Sequence, residues 1–260
     1  MKKIGFVGMG NMARAIAEGF VKGGAATAED LYGFAPRYER LKAFCDDLGM
    51  HACRSVEEML NEVDTVVMAV KPYVVEGVLE QIRDSLKGKT MLSVVAGYTC
   101  EKYRPLVDES VRVQYIMPNT PCMVGAGMLL FEQETTLTDA ERAEAVRMFE
   151  ALGEVEILPT HLMAPAMGIS GCGPAFVAMM IEALADAGVK YGLPRATAYR
   201  LASQTALGTG KMQLETGMHP GVIKDGVCSP AGTTIRGVEA LEAHGMRRAF
   251  MEAVKATQQG

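Results

Sequence analysis

The chain has 260 residues, of which 49% are hydrophobic and 22% are charged, and its net charge is −5. This composition is typical of a globular protein with one large domain or two modest ones. Because the chain is mildly acidic and its basic residues are scattered among carboxylates, we expect neither nucleic acid nor an anionic membrane as a partner. We find no apolar run near the roughly 20 residues that span a bilayer, and we therefore predict a cytoplasmic protein.

The cysteines and histidines are too widely spaced for a metal site. None of the 6 cysteines belongs to a CxxC pair, and none of the 4 histidines has a second ligand at metal-binding spacing. We expect reduced thiols and no metal. The apolar stretch Ile4–Met9 is short and contains two glycines, so it does not predict a signal peptide.

Strand-like and helix-like patterns alternate along the first part of the chain. Strands are predicted at 3–8, 31–34, 63–70, 90–95, 111–117, 127–132 and 155–158, with helices at 11–21, 37–48, 99–107 and 138–152 and a further helix opening at Pro72. The run Val63–Val70 is almost continuously apolar, as in a parallel strand covered on both faces. Thr138 and Glu141 stand at capping-box positions. The alternation predicts an α/β fold, a Rossmann-type doubly wound sheet over residues 1–158.

After residue 158 the strand patterns stop. Helices are predicted at 174–189, 195–215 and 233–258, separated by short segments rich in glycine and proline. We expect residues 159–260 to form an all-helical C-terminal domain. Because this part is small and apolar, we predict that it mediates a homodimer or a higher oligomer.

The junction between the first strand and the first helix carries a dinucleotide-binding fingerprint. Gly8, Gly10 and Ala13 form the pattern GxGxxA, with Asn11 and Met12 between the last two. Gly8 permits the tight turn, Gly10 lets the backbone approach a pyrophosphate, and Ala13 allows close packing of helix on strand. The free N–H groups at the helix N-terminus favour phosphate. The alternative is a glycine-rich turn needed only for folding.

The end of the second strand favours NADPH, with NADH as the alternative. NAD sites place an acidic residue there for the ribose 2′-OH, but this chain has Ala35 and Arg37 instead. A guanidinium at this point can pair with a 2′-phosphate. Arg37 can equally be a solvated residue in the first turn of a helix.

Ligands of open α/β sheets bind at the carboxyl ends of the strands. Two further strand ends in this chain therefore supply candidate cofactor contacts, namely Ala69, Val70, Lys71 and Pro72 after one strand and Ala96 and Gly97 after the next. Lys71 is placed to reach ribose or phosphate. Its alternative is an ordinary surface lysine.

Several motifs in order along nearly the whole chain resemble those of the pyrroline-5-carboxylate reductase family. They are Val7–Ala13 with Ala15-Ile16, Val70–Pro72, Val95–Gly97, Met117–Pro121, Ile169–Phe176, Glu182–Gly188 and Val227–Ile235. The resemblance implies hydride transfer from NADPH to the C=N bond of 1-pyrroline-5-carboxylate, which gives L-proline in proline biosynthesis. It also implies a cofactor contact at Asn119, helical domains that intertwine in an oligomer, and a substrate pocket at the subunit interface.

The segment Ser229–Thr234 is the candidate substrate site. A small-residue loop leads into a helix, and the N–H groups of Gly232, Thr233 and Thr234 are placed to hold a carboxylate, with the Ser229 hydroxyl as a further donor. The resemblance assigns Thr234 to the imine nitrogen, and Thr234 is the predicted catalytic residue. In the alternative interpretation Ser229 and Thr233 only cap the helix.

The chain departs from the family pattern at four places. Cys172 stands where the family usually has serine, Phe176 where it has tyrosine, Ala231 where it has glycine, and Ser55-Val56 where many relatives have asparagine. Because alanine resists a positive φ, we expect an ordinary backbone angle at Ala231.

Three other functions remain open from the residues alone. A related NADPH-dependent reductase of another cyclic imine would share almost all these motifs. A β-hydroxyacid dehydrogenase would need a lysine acid/base in the second domain, but the helix 174–189 contains none. A nucleotide sensor on the same fold would bind NADPH and reduce nothing.

Overall fold

The computed structural model describes residues 3–258, which pack as two compact units. The first unit ends at Gly171 and the second begins at Cys172. Eight strands, all in the first unit, form one sheet in the order β3-β2-β1-β4-β5-β6-β7-β8. They are β1 (Ile4–Val7), β2 (Leu31–Phe34), β3 (His51–Ala52), β4 (Thr65–Met68), β5 (Thr90–Ser93), β6 (Arg112–Met117), β7 (Gly127–Thr135) and β8 (Gly153–Leu158). All neighbouring strands are parallel except β6 and β7, which are antiparallel.

Helices connect the strands and make up the second unit. The first unit contains α1 (Asn11–Lys22), α2 (Tyr38–Leu48), α3 (Val56–Glu62), α4 (Val75–Ile82), α5 (Cys100–Tyr103), α6 (Asp139–Glu150) and α7 (Thr160–Ser170). The second contains α8 (Gly173–Lys190), α9 (Arg195–Thr216), α10 (Pro220–Gly226), α11 (Thr233–Ala243) and α12 (Met246–Ala256). The predicted Rossmann-type sheet followed by a helical C-terminal part is confirmed.

Two hydrophobic cores cover the two faces of the sheet. On one face, α1 and α6 meet through Phe20 and Phe149, whose rings pack edge to face with centroids 5.2 Å apart. On the other face, Met59 of α3, Leu79 of α4 and Tyr103 of α5 are fully buried. Both faces of β4 are therefore covered, which explains why its sequence is almost continuously apolar.

Local signals in the sequence fix several helix ends. Thr138 accepts from the Glu141 N–H while the Glu141 carboxylate accepts from the Thr138 N–H, so α6 begins with the predicted capping box. Gly49 ends α2 in the left-handed region, at a φ of +83°. The predicted helix 233–258 is wrong as one element, because Gly245 at a φ of +71° separates α11 from α12.

The helix α7 lies at the boundary that the sequence predicts after residue 158. β8 ends at Leu158, and α7 then packs on the sheet through Met163, which forms one buried cluster with Tyr115 and Leu130. Contacts therefore place α7 in the sheet-containing unit, and the division between the units falls after Gly171. The boundary between the functional domains remains a prediction.

One apolar stretch is longer than the sequence analysis expected. Within residues 3–258, Thr160–Lys190 is long and apolar enough, by length and composition, to cross a membrane. It consists of α7 and α8 with a turn at Gly171 between them. Only 6% of its most apolar window is buried inside the chain. An exposed apolar surface of this kind is typical of a helix that packs against another protein surface.

Candidate active site

A cavity of about 940 Å³ opens at the carboxyl ends of the central strands. The strand order reverses between β1 and β4, and open α/β sheets bind their ligands at such a switch point. The cavity is lined by twelve of the fourteen predicted cofactor residues, which are Gly8, Gly10, Asn11, Met12, Ala13, Ala35, Arg37, Ala69, Val70, Lys71, Pro72 and Ala96.

The two glycines of the fingerprint are constrained in different ways. Gly8 has a φ of +93°, and a Cβ at this position would lie 2.9 Å from the carbonyl oxygen of Ala69. The fold itself therefore requires glycine at Gly8. A Cβ at Gly10 would meet no protein atom within 4 Å. Gly10 has an ordinary φ of −75° and lines the cavity, so any requirement for glycine there comes from a ligand that approaches the backbone.

The cavity lining is cationic although the chain as a whole is acidic. Four cationic side chains line it, those of Arg14, Arg37, Arg40 and Lys71, and the described lining contains no carboxylate. Sequence reasoning had singled out Arg37 and Lys71 but missed the other two. Arg40 lies three residues after Arg37 at the start of α2, so helical spacing could have indicated that both face the same way.

Arg14 is held in place between the fingerprint loop and α2. Its Nε donates to the Met9 carbonyl over 3.2 Å, and its Nη2 donates to the Arg40 carbonyl over 3.5 Å. Its guanidinium lies over the Phe44 ring, 4.7 Å from the centroid. Because these contacts fix the charge beside the cavity, Arg14 adds a positive potential that does not depend on a mobile side chain.

The first turn of α1 rests on a buried thiol. The Cys122 Sγ–H donates to Met12 Sδ over 3.9 Å. Burial raises the pKa of the Cys122 thiol to about 11, so this group stays neutral at physiological pH. Cys122 therefore packs as a small apolar side chain beneath the fingerprint and is not a nucleophile.

Two predicted cofactor residues, Gly97 and Asn119, do not line the cavity. Gly97 follows the lining residue Ala96 and has a φ of +73°. The Asn119 amide is occupied by protein partners, because Nδ2 donates to the Ser170 carbonyl over 2.9 Å and Oδ1 accepts from the Met128 N–H over 2.9 Å. Asn119 thus ties the end of α7 to β7.

The candidate substrate segment forms a tight turn that leads into α11. The Gly232 N–H donates to the Ser229 carbonyl over 3.0 Å, with Pro230 and Ala231 between them. Proline followed by a positive φ is the pattern of a type II turn. Ala231 accordingly has a φ of +57°, and no other non-glycine residue within 3–258 has a positive φ. The expectation of an ordinary angle at Ala231 is therefore wrong, because the turn geometry overrides the preference of alanine.

The first N–H groups of α11 have no side-chain cap. Gly232 is the N-cap residue and supplies no side chain, and neither Ser229 nor Thr233 caps the helix. The interpretation in which these two residues only cap the helix is therefore not supported. The Ser229 hydroxyl lies against Gly232, since a Cβ on that glycine would be only 2.4 Å from Ser229 Oγ. Thr234 is solvent-exposed in the single chain.

The remaining departures have local roles or none that the structure explains. Ser55 is the N-cap of α3, and its hydroxyl accepts from the Glu58 N–H over 3.0 Å. Cys172 is the half-exposed N-cap residue of α8 and makes no side-chain capping bond. Nothing in the structure explains phenylalanine in place of tyrosine at Phe176.

Two protein-family models match this chain, one toward each end. Residues 160–260 match the family described as pyrroline-5-carboxylate reductase dimerisation, and residues 3–97 match the family described as NADP oxidoreductase, coenzyme F420-dependent. The pyrroline-5-carboxylate reductase of Treponema pallidum is 44% identical over 97% of each chain. That of Escherichia coli K12 is 40% identical over 97% of this chain and 94% of its own.

Solved structures agree with the sequence relatives. The crystal structure of Plasmodium falciparum pyrroline carboxylate reductase with NADP bound superposes with a TM-score of 0.89 at 31% identity, over 98% of this chain and 95% of that one. The shared sequence and fold extend through both units. The chain belongs to the pyrroline-5-carboxylate reductase family.

Proposed function

We propose that this protein reduces the C=N bond of 1-pyrroline-5-carboxylate with NADPH and forms L-proline. Support comes above all from the 44% identity over 97% of the chain to a reductase with this name. The cationic cavity at the fingerprint gives independent support for the nucleotide.

The cavity residues fit NADPH. The N–H groups at the start of α1 and the bare backbone at Gly10 suit the pyrophosphate. Arg37 and Arg40, with Arg14 behind them, suit a 2′-phosphate at the end of β2, where the described lining has no acid to repel it. Lys71, which lines the cavity beyond the end of β4, suits a ribose or phosphate oxygen. Bound NADPH supplies the hydride.

The turn before α11 suits the substrate carboxylate. The uncapped N–H groups of Thr233 and Thr234 suit an anion at the helix N-terminus, and Ser229 adds a hydroxyl donor. The Gly232 N–H is already bonded to the Ser229 carbonyl, so Gly232 contributes its bare backbone and not a donor. We assign the Thr234 hydroxyl to the ring nitrogen, which it orients by one hydrogen bond. Orientation of the two reactants is the main task of the protein in this reaction.

The reaction needs one proton in addition to the hydride. The imine nitrogen is protonated before reduction, and the proton comes from solvent because a threonine hydroxyl is a weak acid. When the imine carbon gains hydride, the π electrons move to the nitrogen, which keeps its proton as an amine. Thr234 then bonds with the nitrogen in both states, as acceptor to the iminium N–H and as donor to the amine lone pair.

The helical unit is proposed to pair with other copies of the chain. The family model that matches this unit carries the description pyrroline-5-carboxylate reductase dimerisation. Large apolar side chains such as Met179, Leu207 and Leu214 are 61–74% exposed in the single chain. We propose a homodimer or a higher oligomer, located in the cytoplasm, with no nucleic acid or membrane partner. The acidic net charge of −5 supports these exclusions.

Product analysis tests the proposed function. Purified protein is incubated with NADPH and 1-pyrroline-5-carboxylate, and proline is quantified by chiral chromatography against the NADPH consumed. We expect one L-proline for each NADPH. Consumption of NADPH without proline, or proline of the other configuration, would reject the assignment.

A further inference from the structure

The segment after β5 borders the cofactor cavity and is held on both sides by side chains. Ala96 lines the cavity, and Gly97 follows it with a φ of +73°. The Gly97 N–H donates to the Tyr115 hydroxyl over 3.1 Å. The Lys102 ammonium donates to the Gly97 carbonyl over 2.6 Å. Both main-chain polar groups of Gly97 are therefore fixed by side chains.

An irregular pairing of β6 with β7 surrounds Tyr115. Gln114 pairs with Thr135 and Ile116 pairs with Phe131. An advance of two residues along β6 is therefore matched by four residues along β7. The register shifts here, as it does at a β-bulge, and such shifts often re-aim side chains next to functional sites. The Gln114 amide donates to the Tyr115 carbonyl over 2.8 Å. Tyr115 is only 3% exposed, so its ring has little freedom to move.

The irregular part of β7 also carries the buried carboxylate of Glu132. This side chain is fully buried, and its Oε2 accepts from the Cys100 N–H over 2.7 Å. Its Oε1 accepts from the Thr160 hydroxyl over 2.6 Å. Cys100 begins α5, so the chain from Gly97 to Cys100 is anchored at one end by Tyr115 and at the other by Glu132.

The order of the strands indicates which part of the cofactor this segment faces. The end of β2 suits the adenosine ribose and the turn after β1 suits the pyrophosphate. The ends of β4 and β5 follow in the sheet. Ala96, in the segment after β5, therefore borders the nicotinamide half of the cavity.

We propose that Tyr115 is a positioning residue whose hydroxyl fixes Gly97, so that the segment Ala96–Gly97 supports the nicotinamide half of the cofactor. This role depends on the proposed use of NADPH. Burial raises the pKa of the Tyr115 hydroxyl above its ordinary value, so the group stays protonated at neutral pH. It accepts from Gly97 and donates its proton to Met117 Sδ, 3.6 Å away. The hydroxyl therefore acts as a structural link and not as a base.

Tyr115→Phe removes this hydroxyl and keeps the ring. Tyr103→Phe is the comparison variant, since Tyr103 is also buried and its hydroxyl bonds to Ser93 Oγ at 2.7 Å and not to Gly97. Ser93 Oγ also accepts from the Val95 N–H over 3.3 Å, so this variant tests whether the Gly97 bond itself is needed. The dissociation constants of NADP⁺ and of adenosine 2′,5′-bisphosphate are measured by calorimetry for each protein. The second ligand lacks the nicotinamide half, so it reports only on the adenosine end.

We expect Tyr115→Phe to weaken NADP⁺ about threefold to tenfold, the value of one neutral hydrogen bond, and to leave adenosine 2′,5′-bisphosphate unchanged. Tyr103→Phe should leave both constants unchanged. Lys102→Met frees the Gly97 carbonyl and should likewise weaken NADP⁺ without weakening adenosine 2′,5′-bisphosphate. If Tyr115→Phe does not fold, Lys102→Met takes its place in the test. Equal weakening of both ligands, or no weakening of either, would overturn the role of Tyr115.

The binding readout separates this proposal from the proposed function. It needs no imine, so a wild-type protein that binds NADP⁺ but reduces no imine would reject the reaction and still report on Tyr115. A wild-type protein that binds neither ligand would reject both.

Discussion

Gly8 and Gly10 differ in what an added methyl group would meet. Gly8→Ala forces alanine to a φ of +93° and brings its Cβ to 2.9 Å from the Ala69 carbonyl oxygen. The backbone angle costs at least ~1–2 kcal/mol and the overpacking adds ~1–3 kcal/mol. Gly10→Ala meets no atom within 4 Å at an ordinary φ. The loss of unfolded-state entropy and the poorer N-cap offset each other, so its unfolding free energy should change by less than about 1 kcal/mol.

Gly8→Ala should therefore fail in a stability assay, whereas Gly10→Ala should fail in a cofactor-binding assay. Urea unfolding of Gly8→Ala should show a loss of stability of about 2–5 kcal/mol. Gly10→Ala should unfold like the wild type but bind NADPH at least tenfold more weakly, a change of about 1.4 kcal/mol, because its methyl group occupies the place of the pyrophosphate. Tight NADPH binding by a well-folded Gly10→Ala protein would refute the placement of the cofactor against this backbone.

Three further changes test other parts of the site. Thr234→Ala should lower kcat about tenfold to a hundredfold through one lost hydrogen bond to a charged group, without changing the melting temperature; full activity would remove Thr234 from the chemistry. Ala231→Gly should raise the unfolding free energy by about 1 kcal/mol, because glycine relieves the positive φ; a lower urea midpoint would contradict the strain. Arg37→Ser and Arg40→Ser should each raise the KM for NADPH about tenfold and leave that for NADH unchanged; equal effects on both cofactors would exclude a 2′-phosphate contact.

The parts of the fold that were predicted from sequence carry strong local signals. Apolar runs of β-branched residues mark the central strands, and Thr138 with Glu141 marks the start of α6. β3 was missed because it has only two residues, His51 and Ala52, which are not fully buried and produce no periodicity.

The helix α7 was missed for a different reason. It contains Pro165, which disfavours a helix interior. Contacts from distant residues stabilise it instead, because the Glu132 carboxylate accepts from the Thr160 hydroxyl at its start and Asn119 donates to the Ser170 carbonyl at its end. Such tertiary support cannot be read from the local sequence.

The candidate site likewise contains residues that the local sequence predicts and residues whose placement depends on tertiary contacts. The fingerprint residues are predictable because one contiguous motif places them on one loop. Arg14 was missed because its orientation depends on the carbonyls of Met9 and Arg40. The angle at Ala231 was wrongly expected because the type II turn and not the residue's own preference decides it.

The central claim is tested most directly by the initial rate of NADPH oxidation, followed by absorbance, with 1-pyrroline-5-carboxylate. The six-membered cyclic imine and NADH serve as comparisons. We predict fast turnover with the five-membered ring and NADPH, and slower turnover when either partner is exchanged. Binding of NADPH without turnover on the five-membered ring would contradict the account and direct the search to another imine.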